Sequence, residues 1–215
     1  MPYYGDISGD FRNLLNEDCE VVVVAVVGGT HHDCYRCPKR AVRNAPQMDE
    51  AKWYDMKTVE KRRFMECLGE NSPPLEFGYA VFELDDFTNL RSHYKLFQDV
   101  SFPPIWDIAI RGIAYTEILY ELSGDTNIEF YPDQFRSGVQ TDKLCEVIEN
   151  RLKKAEIECV SSEQVDGVQA ADCLAGAVAE EQKGGTPWLE HTNAESQIAE
   201  CSSWTLIELE RLLVS

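Results

Sequence analysis

Residues 165–183 read VDGVQAADCLAGAVAEEQK, and the reading of this stretch decides how the rest of the chain is understood. From Val168 to Ala179 nearly every residue is small or apolar, and only Gln169 and Asp172 are strongly polar. A helix that is apolar on all sides belongs in a protein interior. A carboxylate buried there is costly unless it is paired, hydrogen-bonded or on a metal. Asp172 is therefore either a capped or salt-bridged acid, or one wall of an acidic, metal-binding site.

Working outward, Ile157–Val160 is a short strand and Val139–Lys154 an amphipathic helix with Leu144, Val147, Ile148 and Leu152 on one face. Asn127–Tyr131 is a strand that Pro132 ends, with Asp133 following at once. Pro103-Pro104 opens a long apolar helix, Ile105–Leu122, which stops at Ser123-Gly124. Asp85–Val100 reads as a short helix and a loop, and Phe77–Leu84 alternates as a strand. Lys52–Leu68 carries Trp53, Met56, Val59, Phe64 and Leu68 at roughly helical spacing, and Asn71-Ser72-Pro73-Pro74 breaks it. Cys19–Val27, rich in valine and stopped by Gly28-Gly29, is the strongest strand signal. It pairs in expectation with a short strand over Tyr3–Ser8, through the polar stretch Asn13–Asp18. Between them and the Trp53 helix lies a polar loop, 31–49. Beyond Gly184-Gly185-Thr186-Pro187, Glu195–Leu213 reads as a final helix within a helical extension over 190–215. Strands followed by alternating strands and helices give an α/β fold, a mixed sheet flanked by helices, as one domain over 1–215.

Composition narrows the functions. A hydrophobic share of 44% implies a packed core, and no apolar run is long enough to span a bilayer. Val21–Val27 follows twenty residues without a basic leader, so it reads as a strand and the expected location is cytoplasmic. The formal charge is −18, from 38 acids against 20 bases, which argues against a generic basic nucleic-acid binder. It leaves open an enzyme that meets nucleic acid through metal ions. Such acidity keeps a chain solvated, and suggests adaptation to salt. The eight cysteines are scattered and are expected as free thiols, with Cys145, Cys159 and Cys173 in apolar contexts.

Three acids stand in unusual contexts: Asp6 in YYGDISG, Asp133 in FYPDQF and Asp172 in QAAD, with Glu50 in DEAKW a fourth. Acids at strand ends are often turn formers or helix caps. Taken together they suggest a carboxylate cluster holding one or two divalent cations, and oxygen-only ligands favour magnesium or manganese. Two such ions about 3.5–4 Å apart activate water and stabilise the leaving oxygen in phosphodiester cleavage.

At these residues the chain resembles the domain-of-unknown-function 3800 family, whose fold is ribonuclease H-like. Asp6-Ile7-Ser8-Gly9 is similar to its opening D-E-S-G, and Glu50-Ala51-Lys52-Trp53, followed by Lys61-Arg62-Arg63, to its E-x-K-W-like segment before an arginine-bearing helix. Asp133-Gln134 matches its later aspartate. Gln169-Ala170-Ala171-Asp172-Cys173-Leu174-Ala175-Gly176 matches its Q-x-A-D-x-x-A-G segment most closely. The resemblance spans about Tyr3 to Lys183. It implies that Asp6, Glu50, Asp133 and Asp172 are the catalytic, metal-binding acids of a nuclease, with Lys52, Gln169 and Ser8 contacting substrate or supporting the ligands. The chain departs at Ile7, where the family carries an acid. That departure, with the acidity, favours the other reading: a nucleic-acid-binding or interaction protein that keeps the fold without catalysis.

A second candidate site is His31-His32-Asp33-Cys34-Tyr35-Arg36-Cys37. Cys34 and Cys37 have the spacing of a structural zinc site, with His31 three residues before Cys34 and a fourth ligand from His32 or Cys67. A redox pair and a plain loop with free thiols are the other readings. His93 and His191 read as surface residues; Arg62 and Arg63 could contact phosphate, but the plainer reading is solvated helix arginines. Ser8 has no histidine in a recognisable motif with it, so a serine hydrolase is not indicated. Gly28-Gly29 lacks the spacing and lysine of a phosphate loop.

Overall fold

The structure is a computed structural model that describes residues 2–29, 37–42, 51–70, 75–87, 103–123, 127–163 and 165–192. Its centre is the valine run. Strand β2 (Val21–Gly28) is buried at every position, because both of its faces are covered. Val22, Val24 and Val26 point into one apolar core; Val21, Val23, Ala25 and Val27 point into a second on the other side. Burying each valine favours the fold by about 1.5–3 kcal/mol.

Strand β1 (Pro2–Ser8) lies beside β2, antiparallel, with Tyr3 opposite Gly28 and Asp6 opposite Ala25. The expected hairpin is therefore present. Its connection holds a short helix, α1 (Phe11–Leu15), whose N-terminus Asp10 caps by accepting from the Arg12 and Asn13 N–H groups at 2.8 and 3.1 Å. The sequence shows a polar stretch there because the helix buries only Phe11, Leu14 and Leu15. Strand β3 (Glu76–Glu83) pairs antiparallel with β2, β4 (Ile128–Pro132) pairs parallel with β1, and β5 (Ala155–Ile157) pairs parallel with β4. The result is a five-stranded mixed sheet in the order β3-β2-β1-β4-β5.

Helices cover both faces. On one side α4 (Pro103–Ser123) and α5 (Gly138–Arg151) close the first core with Trp106, Ile110, Ile113, Tyr115, Leu144 and Ile148. On the other, α2 (Cys37–Ala41), α3 (Thr58–Glu70) and α6 (Asp166–Gln182) close the second. The expectation of a mixed sheet flanked by helices is met.

Some boundaries differ. Strand β5 lies at Ala155–Ile157, earlier than Ile157–Val160, and Val160 forms an isolated bridge with Asp133. Strand β4 ends at Pro132 as expected; the Pro132 carbonyl accepts from the Val160 N–H, and Asp133 beyond it forms an isolated bridge with Val160 and donates its N–H to the Gly5 carbonyl. The Trp53 segment divides into a 3-10 turn, Trp53–Asp55, and α3. A 3-10 turn also spans Trp188–Thr192, where His191 is half-buried against the Trp188 ring instead of standing on the surface. The helix expected over Glu195–Leu213 lies outside the described residues, as does His93.

The free-thiol expectation is corrected for four cysteines. Cys37 is disulfide-bonded to Cys67 and Cys145 to Cys159. Helices α2 and α3 lie side by side and bring the Cys37 and Cys67 Cα atoms to 5.8 Å, an adjacency that a separation of 30 residues does not reveal. In this form Cys37 and Cys67 have no thiolate to offer zinc, so the zinc reading loses Cys37 and one candidate for its fourth ligand. His31, His32 and Cys34 lie outside the described residues.

Candidate active site

Helix α6 packs across β1 and β2, and two glycines set its approach. A Cβ on Gly167 would stand 2.3 Å from the Tyr4 ring, and one on Gly176 2.7 Å from Trp53 Cβ. The close contact at Gly167 seats the helix on the central strand. Gly176 instead faces the 3-10 turn. Residues Gly167–Ala171, Cys173–Ala175 and Ala177–Ala179 are buried, so the helix is covered all round, as its composition requires.

Asp6 is on β1, Asp133 directly follows β4, and Asp172 is on α6. The parallel register places Gly5 opposite Pro132, and the Asp133 N–H donates to the Gly5 carbonyl at 2.8 Å. The next pair along is Asp6 and Asp133, on strands about 4.8 Å apart. Alternation gives both the same face: Tyr3, Gly5 and Ile7 turn towards α4, whereas Tyr4 and Asp6 turn towards α6. Tyr4 and Tyr131, one step earlier on that face, stack with ring centroids 5.3 Å apart.

The electrostatics record this convergence. Asp6 is only 5% exposed. Burial first, then the charges of Asp172 and Asp133, push its pKa well above the ordinary carboxylate value; its hydrogen bond from the Ile7 N–H, at 2.7 Å, and the Arg111 charge oppose this only in part. Asp172 has a partly exposed side chain, with Lys52 Nζ 3.8 Å from its Oδ2. So long a half-exposed pair contributes no more than about 1 kcal/mol. Asp133 Oδ1 accepts from the Ser162 N–H at 3.1 Å.

Gln169 is buried one turn before Asp172 and bridges two loops. Its Oε1 accepts from the Ala51 N–H at 3.3 Å, and its Nε2 donates to the Ser162 carbonyl at 2.8 Å. Ser162 in turn holds Asp133, and the Cys173 thiol donates to the Ala51 carbonyl at 3.5 Å. Gln169 thus ties the segment carrying Lys52 to the loop that orients Asp133. Ser8, two residues beyond Asp6 on the same strand, is half-buried at the strand end. Glu50 lies outside the described residues; its neighbour Ala51 is fastened to α6 at both backbone groups.

Two residues that sequence reasoning passed over lie on the α4 side. Arg111 is largely buried, pairs with Asp107 at 2.8 Å and covers the Phe135 ring at 4.4 Å. Tyr115 is fully buried against Phe130 and the space left by Gly5, and its hydroxyl has no hydrogen-bond partner among the described residues. Burial raises its pKa well above the ordinary value; Arg111 opposes that, and Asp6 and Asp133 add to it. For Arg111 the available signal was its i,i+4 pairing with Asp107 in the apolar first half of the helix.

With this geometry in hand, the chain can be compared with known proteins. It is similar to a chain in the structure of the PCNA:RNase HII complex from Archaeoglobus fulgidus, with a TM-score of 0.56 and 15% identity over 100% of this chain and 87% of that one. The fold is ribonuclease H-like. No protein-family model matches the sequence, and no curated protein matches it. At so low an identity the likeness speaks for the ribonuclease H-like fold alone.

The donor set fits a hard divalent cation in kind. Asp6, Asp133 and Asp172 bring only carboxylate oxygens, from three elements, to one face, and Asp6 is held there against like charge. Among the described residues no group of three His, Cys, Asp or Glu side chains is gathered closely enough to hold an ion as it stands.

Proposed function

We propose that this chain is a metal-dependent nuclease, hydrolysing phosphodiester bonds in nucleic acid, and a member of the domain-of-unknown-function 3800 proteins. The observation that carries the reading is the convergence of Asp6, Asp133 and Asp172 on the α6 face of a ribonuclease H-like sheet. These acids, with Glu50, would hold magnesium or manganese. Such an ion, when bound, supplies an activated water and charge stabilisation at the phosphate.

The chain's own residues do the rest. Asp6 is aimed by the Ile7 N–H, Asp133 by Ser162, and Gln169 couples that loop to Ala51, so the acids are set before substrate arrives. Lys52 lies beside Asp172 and carries the positive charge suited to a phosphate oxygen. The departure at Ile7 weighs less than the sequence suggests. Ile7 packs towards the α4 core, so an acid there would not join Asp6, Asp133 and Asp172 on the α6 face.

The test is cleavage of labelled single-stranded RNA, single-stranded DNA and an RNA–DNA hybrid by purified protein. At least one should be cut in magnesium or manganese and none in chelator. Asp172→Asn should lower the rate at least about 100-fold with the circular dichroism spectrum unchanged, as expected when an interaction made in the transition state is removed. Absence of cleavage in both metals would end this reading. Binding without cleavage would leave the non-catalytic one.

A further inference from the structure

We propose that the molecular edge from Tyr54 to Arg63 is the landing surface for single-stranded nucleic acid, which it delivers to Asp172; the delivery rests on the nuclease reading above. The surface itself stands on separate observations. Residues 52–70 hold five bases, Lys52, Lys57, Lys61, Arg62 and Arg63, against four acids, Asp55, Glu60, Glu66 and Glu70, in a chain where 38 acids face 20 bases. Lys52 is engaged by Asp172 and Lys61 by Glu180. Lys57, Arg62 and Arg63 are exposed, and among the described residues no ion pair ties them to a carboxylate.

Tyr54 is 78% exposed and Val59 53% exposed, two of the four large hydrophobic side chains that stand in solvent among the described residues. The Tyr54 backbone is nonetheless held. Its neighbour Trp53 is buried and donates Nε1–H to Glu180 at 2.9 Å, Trp188 Nε1–H reaches the other oxygen of Glu180 at 2.9 Å, and Met56 is buried just beyond. An aromatic ring on a fixed turn beside solvated cations is what a stacked base and its phosphates require. The turn also adjoins the acids, since Lys52, two residues before Tyr54, reaches Asp172.

On the β4–β5 side Glu129 stands opposite Glu156, with Glu158 just beyond, and all three are exposed. A flexible single strand can offer its base faces to the exposed Tyr54 ring. A duplex keeps its base faces stacked and closed to Tyr54.

The test is fluorescence anisotropy with a short fluorescein-labelled oligoribonucleotide and its duplex, using the Asp172→Asn chain so that bound strands stay intact. The single strand should bind more tightly than the duplex. Tyr54→Ala should weaken binding by roughly five- to 150-fold, the loss of one base stack. The Arg62→Ala/Arg63→Ala chain should flatten the slope of log affinity against log salt by roughly 0.7 for each phosphate that is no longer neutralised. Lys153→Ala/Lys154→Ala, on the exposed turn after α5, should change neither quantity. No measurable binding, a preference for duplex, or equal affinity and slope in the edge variants would overturn the proposal. Wild-type cleavage separates the two ideas. Cleavage that ignores the edge variants removes the landing surface alone, whereas binding altered by them without any cleavage removes the nuclease alone.

Discussion

Asp6 shows what burial among like charges does to a carboxylate. Its pKa is raised well above the usual 3.8, because burial and the neighbouring Asp172 and Asp133 disfavour the ionised form. An acid shifted upwards on folding contributes stability that is fully present below the unfolded pKa and is lost as pH rises through the folded one. In metal-free buffer, Asp6→Asn should therefore raise the melting temperature at neutral pH, and the gain should vanish as pH falls below the unfolded value near 3.8. A variant no more stable than wild type at neutral pH would contradict the burial described. Gln169 acts through others: Gln169→Leu strands the Ala51 N–H and Ser162 carbonyl. Manganese affinity by calorimetry should fall about 10- to 100-fold, as when groups that orient metal ligands are removed. An unchanged affinity would make the bridge merely structural. Asp172 and Gln169 could be read in the sequence because polar residues inside an apolar helix need partners. Arg111 was signalled only by its i,i+4 partner Asp107, and Tyr115 not at all, because nothing local says which face of α4 meets the sheet beneath Gly5.

At the scale of elements, local periodicity carried most of the information. The valines of β2 and the small residues of α6 are extreme compositions with one solution each, a strand covered on both faces and a helix covered all round. The Trp53 segment reads in sequence as one helix because its apolar residues fit helical spacing. Tertiary contacts divide it: Glu180 holds Trp53 from α6, and the chain is extended at Met56 before α3 begins. The pairing of Cys37 with Cys67 is invisible in sequence for the same reason, since it depends on α2 lying against α3. The approach of α6 to β1 is set at Gly167, where even a methyl group would meet the Tyr4 ring. Gly167→Ala should destabilise by about 1–3 kcal/mol, the range for overpacking. Thermal melting should record this as a drop of about 2–4 °C for each kcal/mol. No drop would mean that α6 shifts freely, and with it Asp172.

The whole molecule is a ribonuclease H-like sheet whose acids converge where β1 and β4 end and α6 crosses them. Among the described residues no helix is long and apolar enough to cross a membrane. The order of the five strands was not legible, since sequence places β1 next to β2 but cannot say that β4 returns to the other side of β1. The charge was legible at once. With −18 on one chain, self-repulsion opposes compaction, and salt shortens its reach to about 3 Å at molar concentration. The melting temperature should rise from dilute buffer to about 1 M potassium chloride, a concentration that shortens this reach; a fall would contradict the salt-adapted reading. The most direct test of the central claim is anomalous scattering from a crystal grown with manganese. The expected result is a peak enclosed by the carboxylates of Asp6, Asp133 and Asp172, absent from the Asp172→Asn protein. A wild-type crystal with manganese at other sites and none between these acids would contradict it.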